Sequence, residues 1–161
     1  MKVGIIFGSQ SDLEVMKGAS DCLKKFGIEY SAHILSAHRA PELLAEILTK
    51  FEQENYGVII AGAGLSAHLP GVVASKTTLP VIGVPINAGK SAIGNGIDAL
   101  YSIVQMPKSI PVASVGINNS FNAGMLAVQM LAIGNADLQA KLANFRTNMK
   151  EGFKDTINVA L

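Results

Sequence analysis

The sequence has one cysteine, Cys22, no tryptophan and no basic run. A lone cysteine excludes an intrachain disulfide framework, and in a helical stretch Cys22 reads as a small apolar core residue, which fits a reducing cytoplasm. Lysines and arginines number 13 against 12 acids, a formal net charge of +1. Nucleic acid and an anionic membrane surface are therefore not expected partners. Long apolar runs are missing as well. Met1-Lys2 leads into Val3 to Phe7, which stops at Gly8-Ser9, too short for a signal-peptide core or a membrane span. Charge of either sign is scarce, 16% of residues where about 25% is usual. With mean hydropathy at +0.35, that scarcity predicts an exterior partly covered by other copies, a homo-oligomer.

What is present alternates between two periods. Val3 to Phe7, Tyr30 to Leu35, Val58 to Ala61, Pro80 to Val84 and Pro111 to Val115 read as short apolar strands. Between them the spacing predicts helices over Leu13 to Phe26, Pro41 to Glu54 and Ile97 to Gln105, and a short one ending near Lys76. Ser11 and Glu14 have capping-box spacing, Gly27 is a stop, and Pro41 fits the first position of the second long helix. Asn122 to Ile133 is an apolar helix, and from Ala136 on Leu138, Leu142, Phe145, Met149, Phe153 and Ile157 recur at spacings of three and four. Uniformly apolar strands alternating with helices call for a parallel sheet covered on both faces, a three-layer, doubly wound α/β domain over residues 1–161. In strand order 2-1-3-4-5, the turns after strands one, two and three share one rim, where ligands collect in such sheets.

Those three turns carry the chemistry. Ser36-Ala37-His38-Arg39-Ala40-Pro41 places a hydroxyl, an imidazole and a guanidinium at a strand end. Imidazole carries a proton either way near neutrality and guanidinium matches phosphate oxygens in a fork, so the stretch suggests anchored proton transfer; the plain alternative is a polar loop. Gly8 to Asp12 offers two hydroxyls and a carboxylate at a helix start, suited to an anion with Asp12 left for ribose hydroxyls, or to simple N-capping by Ser11. Gly62 to Gly71 leaves bare backbone that a flat ligand can approach; within it His68 is either a second active imidazole or a satisfied polar residue. His33 alternates with strand positions and reads as structural.

Other chemistries lack their parts. Gly62 to Ala67 fits G-x-G-x-x-A but follows the third strand, with no acid about 20 residues on to hold a ribose, so dinucleotide binding fails its context. There is no Walker lysine, no phospho-acceptor aspartate ending the third strand, and no cluster of ligand residues spaced for a metal. Neither Ser36 nor Ser66 stands in a nucleophile elbow.

With Gly8-Ser9-Gln10-Ser11-Asp12, Ser36 to Pro41 and Ala61 to Gly71 in order in one α/β frame, the chain resembles the N5-carboxyaminoimidazole ribonucleotide mutases of the AIR carboxylase superfamily. Ser102 to Pro107 and Pro111-Val112 look like its bacterial, class I branch. The resemblance implies a flavodoxin-like fold and a cytoplasmic enzyme of purine biosynthesis that moves a carboxylate from the exocyclic nitrogen of an aminoimidazole ribonucleotide to the ring carbon, without metal or cofactor. It also implies a homo-octamer with sites at subunit junctions, the C-terminal helical extension, about 136–161, packing on a neighbour. Carried over by motif, His38 is the catalytic acid and base, Ser9, Ser11 and Arg39 hold the phosphate, and Asp12 the ribose. Ser36 lies by the ring, Ala63, Gly64 and Leu69 hold the aminoimidazole and carboxylate, and His68 is the second histidine, of its own or a neighbour's site.

Two segments depart from that pattern: Asn87 to Gly96 is longer and carries a Gly89-Lys90 pair, while the turn Asn118 to Asn122 is shorter. A direct carboxylase of aminoimidazole ribonucleotide and a non-catalytic module binding FMN are the alternatives. The second has few aromatics with which to sandwich a flavin, since Tyr30, Tyr56 and Tyr101 fall within elements.

Overall fold

In a computed structural model describing residues 1–154 and 157, the chain forms five parallel strands in the order β2-β1-β3-β4-β5. These are β1 (Lys2–Phe7), β2 (Tyr30–Ile34), β3 (Tyr56–Gly64), β4 (Val81–Ile86) and β5 (Ala113–Ser114). Six helices cover them: α1 (Leu13–Phe26), α2 (Pro41–Gln53), α3 (Leu69–Ala74), α4 (Ile97–Val104), α5 (Ser120–Ala132) and α6 (Ala136–Lys154). The order and the two-sided cover are those expected of a flavodoxin-like sheet.

Period-two alternation divides the strand side chains between two cores. Val3, Ile5, Phe7, Val58, Ile60, Ile82 and Val84 pack under α1, α5 and the start of α6. Ile6, Ile59, Ala61, Ala63 and Val81 pack under α2, α3 and α4. The helices match their stripes: α1 buries Met16, Ala19, Cys22, Leu23 and Phe26, and stops at Gly27, whose φ of +71° suits the left-handed cap position. On α2, Leu44, Leu48 and Phe51 are buried while Leu43 faces outward. The buried Ser120 ties α5 to α1 by donating its hydroxyl to the Val15 carbonyl.

Four departures from the sequence reading have an evident physical reason. β3 runs on to Gly64, because Ala61 to Gly64 pair with β4 and, as far as Gly62, with β1; flanking strands override the weak strand preference of Gly and Ala. β4 passes through Pro85, whose missing N–H falls on the β5 side. There β5 has already ended at the Gly83 and Ser114 pair, and the Pro85 carbonyl is taken by Asn118 N–H at 2.8 Å. β5 is accordingly only two residues long. The expected Ser11 and Glu14 capping box is not formed: an extra turn, Gln10–Asp12, precedes α1, the Ser9 hydroxyl accepts from Ser11 N–H, and Glu14 pairs with Lys17. Of the C-terminal extension, α6 is described to Lys154 and Ile157 is exposed; the remainder lies outside the described residues.

Candidate active site

The carboxyl ends of β1, β2, β3 and β4 are level, since Phe7 pairs with Ile34 and Gly62, and Gly64 with Ile86. Their turns enclose a cleft of about 270 Å³. Gly8, Ser9, Ser11 and Asp12 come from the first turn, Ser36, Ala37 and His38 from the second, and Ala63 to Ser66 with His68 and Leu69 from the third. Larger hollows lie elsewhere, one of them around the amino ends of β1 and β3 near Lys2 and Asn55, but no histidine lines it.

Each turn is built by its own backbone. Ser36 closes the second, its carbonyl accepting from Ala40 N–H at 3.0 Å and its hydroxyl from Arg39 N–H at 3.3 Å, which turns His38 and Arg39 outward before Pro41 starts α2. Arg39 reaches across to the first turn, donating from Nη2 to the Gly8 carbonyl at 3.3 Å. In the third turn Leu65 takes a φ of +56°, uncommon for a branched side chain, and two tight bonds follow: Ala67 N–H to the Leu65 carbonyl and His68 N–H to the Ser66 carbonyl. Strain of that kind collects where a loop must present groups to a ligand.

Those turns bring His38 and His68 together. His38 Nε2 and His68 Nδ1 are 2.9 Å apart, with the rings nearly perpendicular and their centroids 5.1 Å apart. Within one chain, therefore, the second and third motifs meet through their histidines. In the first turn the Ser11 hydroxyl lies 3.0 Å from Ser9 Oγ and 3.2 Å from Asp12 Oδ1. Asp12 is buried, and burial raises its carboxyl above the ordinary aspartate range, opposed by hydrogen bonds from the Ser11 hydroxyl and the Ser9 backbone. The floor contributed by β3 and the start of α3 is small: Ala63, Gly64 and the buried Leu69 leave room close to the backbone.

Nine of the ten expected site residues line this cleft, and Arg39 joins its edge through Gly8. Ala88, on the turn after β4, also lines it. The sequence reading passed over that residue by ending the fourth strand at Pro85, although its loop was noted as unusual. His33 stays outside, as expected of a structural residue: its Nε2 is 3.0 Å from Ser31 Oγ and its ring leans on Phe51. Among the described residues, no three His, Cys, Asp or Glu side chains gather as a metal ligand set, and no helix is long and apolar enough to cross a membrane.

Comparison with known proteins identifies the fold and the sequence family. The family model described as AIR carboxylase matches residues 2–152. An N5-carboxyaminoimidazole ribonucleotide mutase of Thermotoga maritima is 52% identical over 149 residues, 92% of this chain and 85% of that protein. A chloroplastic phosphoribosylaminoimidazole carboxylase of Vigna aconitifolia is 48% identical over 149 residues, and there the chain spans only 26% of the relative's length. The crystal structure of Treponema denticola PurE superimposes with a TM-score of 0.84 at 29% identity, covering 95% of this chain and 94% of that one. Fold and sequence thus agree that this chain belongs to the AIR carboxylase family.

Proposed function

We propose that the chain is an N5-carboxyaminoimidazole ribonucleotide mutase of purine biosynthesis, converting its substrate to 4-carboxy-5-aminoimidazole ribonucleotide with His38 as general acid and base. The observation that carries the reading is the imidazole pair, His38 Nε2 against His68 Nδ1 at 2.9 Å, over a cleft floored by Gly and Ala backbone. The printed name of the Thermotoga relative supports it.

In this reading Ser9, Ser11 and Arg39 hold the phosphate at the first turn, and Asp12 accepts from the ribose hydroxyls. Ser36 lies beside the ring, and Ala63, Gly64 and Leu69 enclose the aminoimidazole and the carboxylate. The bond between nitrogen and carboxylate carbon breaks, the electron pair stays on nitrogen, and His38 gives that nitrogen a proton. Carbon dioxide remains in the small space over β3, next to the ring carbon. The ring carbon then attacks it, and His38 recovers a proton from the same carbon, so the imidazole ends as it began. His68 holds the other end of the hydrogen bond and so fixes which His38 nitrogen faces the substrate. No cofactor or metal enters these steps.

The proposed protein is a single domain over residues 1–161 and a cytoplasmic homo-octamer with sites at subunit junctions. Ile93, Ile97, Tyr101 and Val104, exposed along and before α4, supply apolar surface for such contacts. Multi-angle light scattering tests this, a monomer at micromolar concentration being the contrary result.

The decisive experiment offers the purified protein either the N-carboxylated substrate or aminoimidazole ribonucleotide with carbon dioxide. Faster product formation from the first is expected; turnover confined to the second would make it a direct carboxylase. A flavin-binding module would purify yellow, but apart from the two imidazoles the cleft lining has no aromatic ring to sandwich a flavin.

A further inference from the structure

The loop Asn87 to Gly96 and the turn Asn118 to Asn122, the two segments set apart in the sequence, meet in space. Asn87 N–H donates to the side-chain oxygen of Asn118 at 2.8 Å, while Asn118 N–H donates to the Pro85 carbonyl at 2.8 Å. A Cβ on Gly96 would stand 2.9 Å from Ile117 Cγ2 and 3.2 Å from Asn87 Cα, so the longer loop also lies tightly on the shorter turn. At the far side, Asp98 ties the loop down by accepting from Ile93 N–H at 3.0 Å. The loop from Asn87 to Gly96 is thus a braced element over the end of β4.

Its first residues border the cleft. Ala88 lines it, and the Ala88 side chain lies 3.2 Å from where a Cβ on Gly64 would stand. Lys90 follows two residues later, exposed, and among the described residues no carboxylate pairs with it. Lys90 does not itself line the cleft, but two residues span at most about 7 Å of chain and a lysine stem on the order of 6 Å, so its ammonium can reach the mouth of the cleft on the β3 and β4 side.

Charge in the cleft is unevenly placed. Arg39 is bound to the first turn, by β1 and β2, and Asp12 adds a carboxylate there. On the mutase reading, on which this inference rests, the substrate carries a phosphate at that end and a carboxylate over Gly64 at the other. We propose that Lys90 supplies the positive charge facing the carboxylate end of the substrate, held there by Asn118 as a positioning residue. It discriminates carboxylated from uncarboxylated nucleotide, because only the former has an anion on its side of the cleft. The ammonium remains partly wet, so the interaction is screened by salt.

Calorimetric binding of 4-carboxy-5-aminoimidazole ribonucleotide and of aminoimidazole ribonucleotide to the full chain tests this. Lys90→Ala should weaken the carboxylated ligand about five- to tenfold at low salt and the uncarboxylated one by less than about twofold, with Lys90→Arg restoring most of the difference. In about 0.5 M salt the wild-type preference should shrink toward that of the alanine variant. Asn118→Ala should lose part of the same preference, and adding it to Lys90→Ala should change the preference no further. Unchanged preference in Lys90→Ala, or equal loss for both ligands, overturns the assignment even if the wild type turns over the N-carboxylated substrate. Absence of that turnover overturns the mutase reading as well, so the two failures are told apart.

Discussion

His38 and His68, thirty residues apart in sequence, share one hydrogen bond of 2.9 Å between Nε2 of the first and Nδ1 of the second. Only one of those nitrogens carries the shared hydrogen, so the two tautomers are coupled; with both rings doubly protonated, two donors would face each other. His38→Asn is expected to keep nucleotide affinity and to lower turnover by roughly a hundredfold or more. His68→Asn should lower turnover by a smaller factor, about tenfold, because its ring holds His38 without meeting the reacting atoms. Steady-state kinetics with a separate binding measurement decide the matter, and wild-type turnover in His38→Asn would end the assignment.

Arg39 joins the second turn to the first through the Gly8 carbonyl, and in the proposed function its charge meets the phosphate. Arg39→Ala should weaken the intact nucleotide at least about tenfold, a charge-assisted contact, and the phosphate-free riboside by much less. Equal losses for the two ligands, measured by calorimetry, would remove the phosphate role.

His33 supplies a pH dependence unrelated to the cleft. Burial, with a smaller contribution from Lys50, lowers its imidazole below the ordinary 6.5. The unfolded chain therefore takes up a proton at His33 at a higher pH than the folded one, so acidification through about 6.5 removes stability until the folded-state value is passed. Thermal midpoints between about pH 5 and 8 should fall less steeply on the acid side for His33→Gln than for wild type. Parallel curves would mean that this histidine does not contribute.

Gly4 lies under Phe51, and a Cβ there would stand 2.3 Å from Phe51 Cε2. That ring is fully buried and stacked on Tyr56 with centroids 4.2 Å apart, leaving it no easy retreat. Gly4→Ala should cost about 1–3 kcal/mol in urea unfolding. A Cβ on Gly62 meets Met16 Sδ at 2.4 Å, but an unbranched thioether can swing aside, so Gly62→Ala should cost less. The reverse ranking would show that the ring yields more readily than the thioether.

How far these features could be read beforehand depends on how local their causes are. α1 was legible to the residue, because its apolar stripe and Gly27 lie within its own span. The three turns were legible because hydroxyls, histidines and glycines cluster there and parallel order puts strand ends on one rim. The extent of β3 was not, since Ala61 to Gly64 have little strand preference and are held by partners distant in sequence. Nor was the contact between His38 and His68, which depends on the backbone bonds of both turns at once. Ser9 caps the extra turn Gln10–Asp12 ahead of α1, and no side chain caps α1 itself, a difference that spacing alone does not register.

The proline within β4 reaches beyond its own strand. From Pro85 on, no foreign backbone could extend the ladder on that flank, because the next amide hydrogen such a partner needs is missing and the carbonyl is already engaged by Asn118. A sheet whose outer strand is only two residues long would otherwise invite intermolecular pairing and fibrous association. Here the same substitution of ring for hydrogen keeps that margin closed to neighbours in the folded chain.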